Sequence, residues 1–129
     1  MLKALKVVFI IFAAVLLLAG LQLVFMPDQW AEMGGIGEIA DNAKWFLGLL
    51  GVIWVAVGSW IIVAAIQDLL KNILWVQFAM TKCILAVAVS AYAIIVGYVD
   101  FSQAGVILIT DAVFFVVFMA LYPWRGAED

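Results

Sequence analysis

The sequence predicts an all-α membrane protein, a bundle of four transmembrane helices running up-down-up-down. Two observations carry this. Hydrophobic residues make up 70% of the 129 residues and charged ones only 12%, whereas a soluble domain is nearer half apolar and a quarter charged. The apolar residues also fall into four long runs. Each is long enough for the roughly 20 mainly apolar residues that a spanning helix needs.

The first run covers Val7 to Met26 and follows Lys3 and Lys6. "MLKALK" has the character of a signal-peptide basic region. The apolar run behind it is long, however, and lacks a good small-x-small cleavage pattern, so it is read as a retained helix. Pro27 stops it. Next comes "PDQWAEMGGIGEIADNAK". In this stretch "DQWAEM" predicts a short interfacial turn with Trp30 at headgroup level, "GGIG" a break, and Asp41 or Asn42 an N-cap. The second span runs from Trp45 to about Ile66, the third over about Val76 to Val99, and the fourth over Ala104 to Tyr122. No repeat or low-complexity segment divides the chain, so residues 1–129 are read as one domain.

The bias of Lys and Arg sets the expected orientation. Lys3, Lys6, Lys71, Lys82 and Arg125 all fall on one side if both termini are cytoplasmic, leaving only Lys44 outside. The expectation is N-in and C-in. Trp30, Trp45 and Tyr98 then mark the outer interface, and Trp75, Tyr122 and Trp124 the inner one.

Small residues at helical spacing mark close contacts between helices in lipid. The third span carries Ala79, Cys83, Ala86, Ser90, Ala93 and Gly97, and the second Gly48, Gly51 and Gly58. These stripes predict the internal seam of the bundle, with a dimer face as the alternative use of one of them. Cys83 is expected to pack as a small apolar residue. Trp54 and Trp60 are expected at the lipid face or in the core.

One carboxylate interrupts the last span: Asp111 in "VILITDAVFF". In hydrocarbon it must be protonated, paired or wetted. Counting at 1.5 Å per residue from Ala104 and Val99 puts Asp111 and Tyr92 both about 10 Å below the outer surface. Gln22 lies about 6 Å in from Met26, and Lys44 is long enough to bend inward. Gln22, Lys44, Tyr92 and Asp111 are therefore expected to be within reach of one another in the outer half. By the same count Lys82 lies roughly 15 Å deeper than Asp111, a poor partner that is expected to snorkel to the cytoplasmic headgroups. The cluster has two readings. Either it ties helices together, or it lines a pocket for a small polar or cationic group or a proton path.

The chain has no His and one Cys, which removes the commonest general base and most zinc sites. No phosphate loop, nucleophile elbow or metal-helix motif is present. The acidic loop residues Asp28, Glu32, Glu38 and Asp41 follow no metal-loop spacing and are read as a solvated surface. A net charge of −3 gives no basic footprint for nucleic acid. No cofactor or metal is expected.

"GLQLVFMP" closing the first helix, "WFLGLLGVIWVAVGSW" and the closing "GYVDFSQAGVILITDAVFFVVFMALYPW" resemble small uncharacterised bacterial four-helix membrane proteins of the BphX-like group, within the broader DoxX-like proteins. Gly20 to Pro27 and Gly48, Gly51 and Gly58 carry the likeness, which covers nearly the whole chain. It implies four helices in a prokaryotic inner membrane and supplies no catalytic residue. The resulting expectation is a non-enzymatic membrane protein, either an accessory subunit or a binder of a small hydrophobic ligand between its helices. The alternative is a small oligomeric transporter or proton-coupled permease using Asp111. Expected partners are the lipid bilayer and either further copies of the chain or a larger membrane complex.

Overall fold

The computed structural model describes residues 2–33 and 37–124, except the side chain of Gln103. Arg125 and residues 34–36 of the "GGIG" break lie outside the described residues. The chain folds into helices α1 (Leu2–Phe25), α2 (Pro27–Met33), α3 (Asp41–Gln67), α4 (Ile73–Ile95) and α5 (Phe101–Leu121). Four of them, α1, α3, α4 and α5, are long and apolar enough to cross a membrane. This is a four-helix bundle of a multi-pass membrane protein.

Apolar side chains cover the outside of the bundle as well as its inside. Leu18, Phe25, Leu74, Val89, Ile95 and Val106 all stand well exposed. A surface of that kind suits hydrocarbon and not water.

The helix ends differ from the apolar runs in instructive ways. Pro27 opens α2, at the first helical position, where its missing N–H costs nothing. The expected interfacial turn is thus a short helix, with Ala31 buried. The residue before α3 is Ala40, which makes no side-chain cap. Asp41 is the first helical residue rather than the N-cap, and its carboxylate lies 3.6 Å from Lys44 Nζ. Between α3 and α4, the Asp68 carboxylate accepts the N–H groups of Leu70 and Lys71 at 3.1 and 3.3 Å. An acidic side chain here holds the turn.

The largest departure is at the α4–α5 hairpin. The third helix was expected to reach Val99, but α4 ends at Ile95. Gly97 takes φ 83°, Gly97 N donates to Ile94 O, and Tyr98 N donates to Ala93 O at 2.9 Å. That pair of bonds is a Schellman ending with glycine in the left-handed position. Ala104 N donates to Asp100 O, so α5 begins three residues before the expected Ala104.

Packing is by antiparallel pairs. The α1–α3 pair is closest where Gly20 faces Gly51. A Cβ added to Gly51 would lie 2.5 Å from Gly20 O, and one added to Gly20 2.7 Å from Gly51 O. Gly58 sits against Leu17 and Ala13 of α1. Gly48, expected in the same seam, faces open space. The α4–α5 pair meets α1 through an aromatic cluster toward the end of the bundle that holds Leu2. Phe118 of α5 stands edge-on to Phe9 and Phe12 of α1, with ring centroids at 5.9 and 5.4 Å. Phe114 stands edge-on to Phe12 at 5.2 Å. Phe118 is fully buried. Phe118→Ala is expected to cost about 3–5 kcal/mol, as for other large core aromatics, read as a lower unfolding midpoint in mixed micelles. A midpoint within error of wild type would mean that the two helix pairs do not depend on this cluster.

The closed core does not run the full depth of the bundle. Among the described residues, no α4 residue after Cys83 is buried, and on α5 before Asp111 only Gly105 is. The groups nearest a Cβ at Gly105 belong to Phe101 of its own helix. The core cluster and the side chains packed against it come from Leu2 to Leu16, Trp54 to Val76, Ala79 to Cys83, and Phe114 to Tyr122. Above that level neither α4 nor α5 buries a side chain among the described residues, so the closed core ends there. Ala86, Ser90 and Ala93 follow Cys83 at helical spacing on the same face of α4, and all three are half-buried. Gly97, expected in that stripe, is the exposed cap residue of the turn.

Candidate functional site

Among the described residues Asp111 is the single charged one that is buried, and its partner is Lys82. Lys82 Nζ donates to Asp111 Oδ1 at 3.0 Å. The corrected helix ends explain the pairing. Measured from Ile95, Lys82 lies about 20 Å down α4, and measured from Phe101, Asp111 lies about 15 Å down α5. The remaining 5 Å or so is within the reach of a lysine side chain. Counting from Val99 and Ala104 instead puts the two roughly 15 Å apart in depth, too far for a direct pair.

The ammonium is held by more than the carboxylate. It lies 5.7 Å from the centroid of the Phe12 ring and 5.6 Å from that of the Trp54 ring. Both distances fall within the range in which a ring face attracts a cation. The Cys83 thiol, fully buried, lies against the same carboxylate. The four long helices thus each contribute to one polar centre: Phe12 from α1, Trp54 from α3, Lys82 and Cys83 from α4, and Asp111 from α5. Side-chain exposure is asymmetric within the ion pair. Asp111 is 7% exposed and Lys82 is 29% exposed. The carboxylate is enclosed, while the cation reaches it from a partly open side.

The other expected members of the cluster are elsewhere. Gln22 donates its amide to Met33 Sδ at 3.2 Å and so ties α1 to α2. Lys44 pairs with Asp28 at 3.2 Å and with Asp41 at 3.6 Å, at the end of the bundle where α3 starts. Tyr92 is 58% exposed and stands edge-on to Tyr98 at 6.2 Å. Because α4 stops at Ile95, Tyr92 is within one turn of the helix end and above the level of Asp111. None of the three reaches the carboxylate.

Lys82, Phe12 and Trp54 are the residues that sequence reasoning left out. A signal for the first was present. Two opposite charges inside adjacent apolar spans are expected to pair in hydrocarbon, and a glycine three residues before Asp100 marks a helix end. No sequence signal singles out Phe12 among nine phenylalanines.

A second feature lies on the outside of the α4–α5 pair. It is an open groove of about 310 Å³ bounded by Gln77, Met80, Thr81, Ile84, Phe115, Tyr122 and Trp124. Gln77 Nε2 donates to Tyr122 Oη across it at 2.6 Å. Its polar groups satisfy each other, so it has the character of a helix–helix tie more than of a site. Among the described residues no group of three or more His, Cys, Asp or Glu is placed to hold a metal ion.

No family model, curated protein or solved structure matches this chain. The chemistry of the centre must be argued from its geometry. A paired carboxylate and ammonium have no net charge to offer a substrate. Flanked by two aromatic rings, they lie at the outer limit of the closed core.

Proposed function

We propose that this chain is a non-enzymatic protein of a prokaryotic inner membrane that binds a small hydrophobic ligand between its helices. The supporting observation is that the closed core ends directly above the Lys82–Asp111 centre. In this reading an apolar body lies in an opening above the closed core, against Ala86, Ser90 and Ala93 of α4. A polar head would meet Trp54, Phe12 and the ion pair below. Pockets with apolar walls and a few convergent polar groups are the usual form of small-molecule sites.

The inserted orientation in this reading is N-in and C-in. Lys3, Lys6 and Lys71 share one end of the bundle by its topology, and Asp28, Asp41 and Asp100 the other. Lys82 no longer counts toward this bias, because it lies inside the bundle. The resemblance to BphX-like four-helix proteins supports the bacterial membrane. The absence of His and of catalytic motifs from the sequence supports a non-enzymatic role.

An accessory subunit is the variant of this reading in which a partner's helix, not a small molecule, fills the opening. A proton-coupled permease using Asp111 is the other reading; the Lys82 ammonium 3.0 Å from the carboxylate supports a built binding centre over it.

The test is extraction of the tagged protein into native-lipid nanodiscs, followed by native mass spectrometry. About one small apolar molecule per chain is expected, and Ala86→Phe, which fills the opening, is expected to lose it. A chain that carries neither a small molecule nor a protein partner would contradict the proposal.

A further inference from the structure

The ligand's head group can be assigned a charge. This step rests on the ligand-binding reading above. Three observations bear on it: a carboxylate enclosed to 7%, two aromatic faces turned toward the same point, and an occupant of that point that is itself a tethered ammonium, 29% exposed. A carboxylate with ring faces about 6 Å from the bound charge is the chemistry that recognises organic cations. We infer that the Phe12–Trp54–Asp111 cage is a cation site which the protein fills with its own Lys82, and that the ligand is an amphiphilic organic cation that takes the lysine's place.

The alternatives fit the cage less well. An anionic head would meet the Lys82 ammonium on its open side, but would bring a second negative charge beside Asp111 and the two ring faces. A neutral head would leave the Lys82–Asp111 pair intact and gain nothing from the carboxylate. A cation exchanges one positive charge for another, so Asp111 is not left bare in a medium where a lone charge is costly. Lys82 can leave without unfolding α4. Its ammonium is at the end of a flexible stem, on the partly open side of the pair, and the stem can turn toward the end of the bundle that holds Lys71. The opening above the cage supplies the wall for the ligand's apolar body. Lys82 is then a built-in competitor that sets the affinity, and Asp111 is the group both cations share.

The experiment is equilibrium dialysis of the purified full chain in zwitterionic detergent. Three probes of similar size are compared: tetraphenylphosphonium, tetraphenylborate and neutral triphenylphosphine oxide. The saturable component is read against the Asp111→Asn protein. Wild type is expected to bind the phosphonium saturably and at least about tenfold more tightly than either of the other probes. Asp111→Asn is expected to lose that preference. Lys82→Gln, which removes the competitor, is expected to tighten phosphonium binding by about tenfold or more. The comparison of probes on wild type decides the matter even if a variant fails to elute as a single species. Saturable binding of the oxide or the borate at equal or greater affinity would overturn the cation assignment and leave the ligand-binding reading standing. Phosphonium binding by Lys82→Gln alone would also overturn it, since Lys82 would then be a permanent occupant. No saturable binding of any of the three would remove the assignment together with the reading on which it rests.

Discussion

Asp111→Asn is expected to destabilise the protein by about 3–5 kcal/mol, the usual cost of removing one partner from a buried ion pair. The physical reason is what remains. The amide still fits, but the Lys82 ammonium must either stay between Phe12 and Trp54 with no counter-charge or turn away and give up both ring contacts. Lys82→Met should cost a comparable amount by leaving the enclosed carboxylate bare. The double variant Lys82→Met with Asp111→Leu should recover most of the loss, and can exceed wild type by up to about 4 kcal/mol, because apolar packing replaces two desolvated charges. Unfolding in mixed micelles, followed by helical circular dichroism, would measure all three. Additive losses in the double variant would mean that the two residues do not interact.

The second large effect concerns the α1–α3 seam. Gly51→Ala places a methyl group 2.5 Å from the backbone oxygen of Gly20, which no side-chain rotation can relieve. The two helices must separate, at a cost of about 1–3 kcal/mol. Gly58→Ala meets Leu17 Cγ at 3.0 Å and Ala13 O at 3.1 Å, a tight contact that is partly relieved by movement of the leucine. Its loss should be smaller. Gly48→Ala meets nothing within 4 Å and should be neutral or stabilising by about 0.5–1 kcal/mol, since alanine restricts the unfolded chain. The expected order of stability is Gly48→Ala, then Gly58→Ala, then Gly51→Ala. Equal effects at the three positions would show that helix propensity, and not close backbone approach, governs this seam.

The existence of the four spanning helices was legible because hydrocarbon demands long apolar runs and little else meets that demand. Their ends were not legible from the same signal. Tyr98 and Val99 are as apolar as the helix before them, yet they belong to a turn set by the left-handed Gly97. Ending α4 four residues early and starting α5 three residues early moves the helices by about 6 and 4.5 Å along their axes. Together those shifts remove most of the depth that separated Lys82 from Asp111, and they carry Tyr92 away from it. The expected cluster failed through this error in register, not through a wrong view of Asp111, whose need for a partner was plain from its surroundings.

The glycine stripe of the second span shows the same limit. Gly48, Gly51 and Gly58 share a pattern, but α1 and α3 come close only at Gly51 and Gly58, and Gly48 lies beyond the contact. Small residues reveal where helices can approach. Where they do approach depends on the angle between them, which no single span encodes. The stripe on α4 divides in a similar way. Ala79 and Cys83 are buried in the closed part of the bundle, while Ala86, Ser90 and Ala93 above it are only half-buried.

The ion-pair stability prediction and the ligand reading both depend on the Lys82–Asp111 contact. Solid-state NMR on protein carrying ¹⁵Nζ-lysine and ¹³Cγ-aspartate, in lipid bilayers, reports that contact directly through dipolar dephasing. The surface pairs Lys44–Asp28 and Lys71–Asp68 contribute as well, so the decisive quantity is the difference between wild type and Asp111→Asn. The account predicts a strong lysine–aspartate coupling that Asp111→Asn removes and that Lys82→Met also removes. An unchanged coupling in both variants would contradict it, and would place Lys82 and Asp111 apart in the membrane.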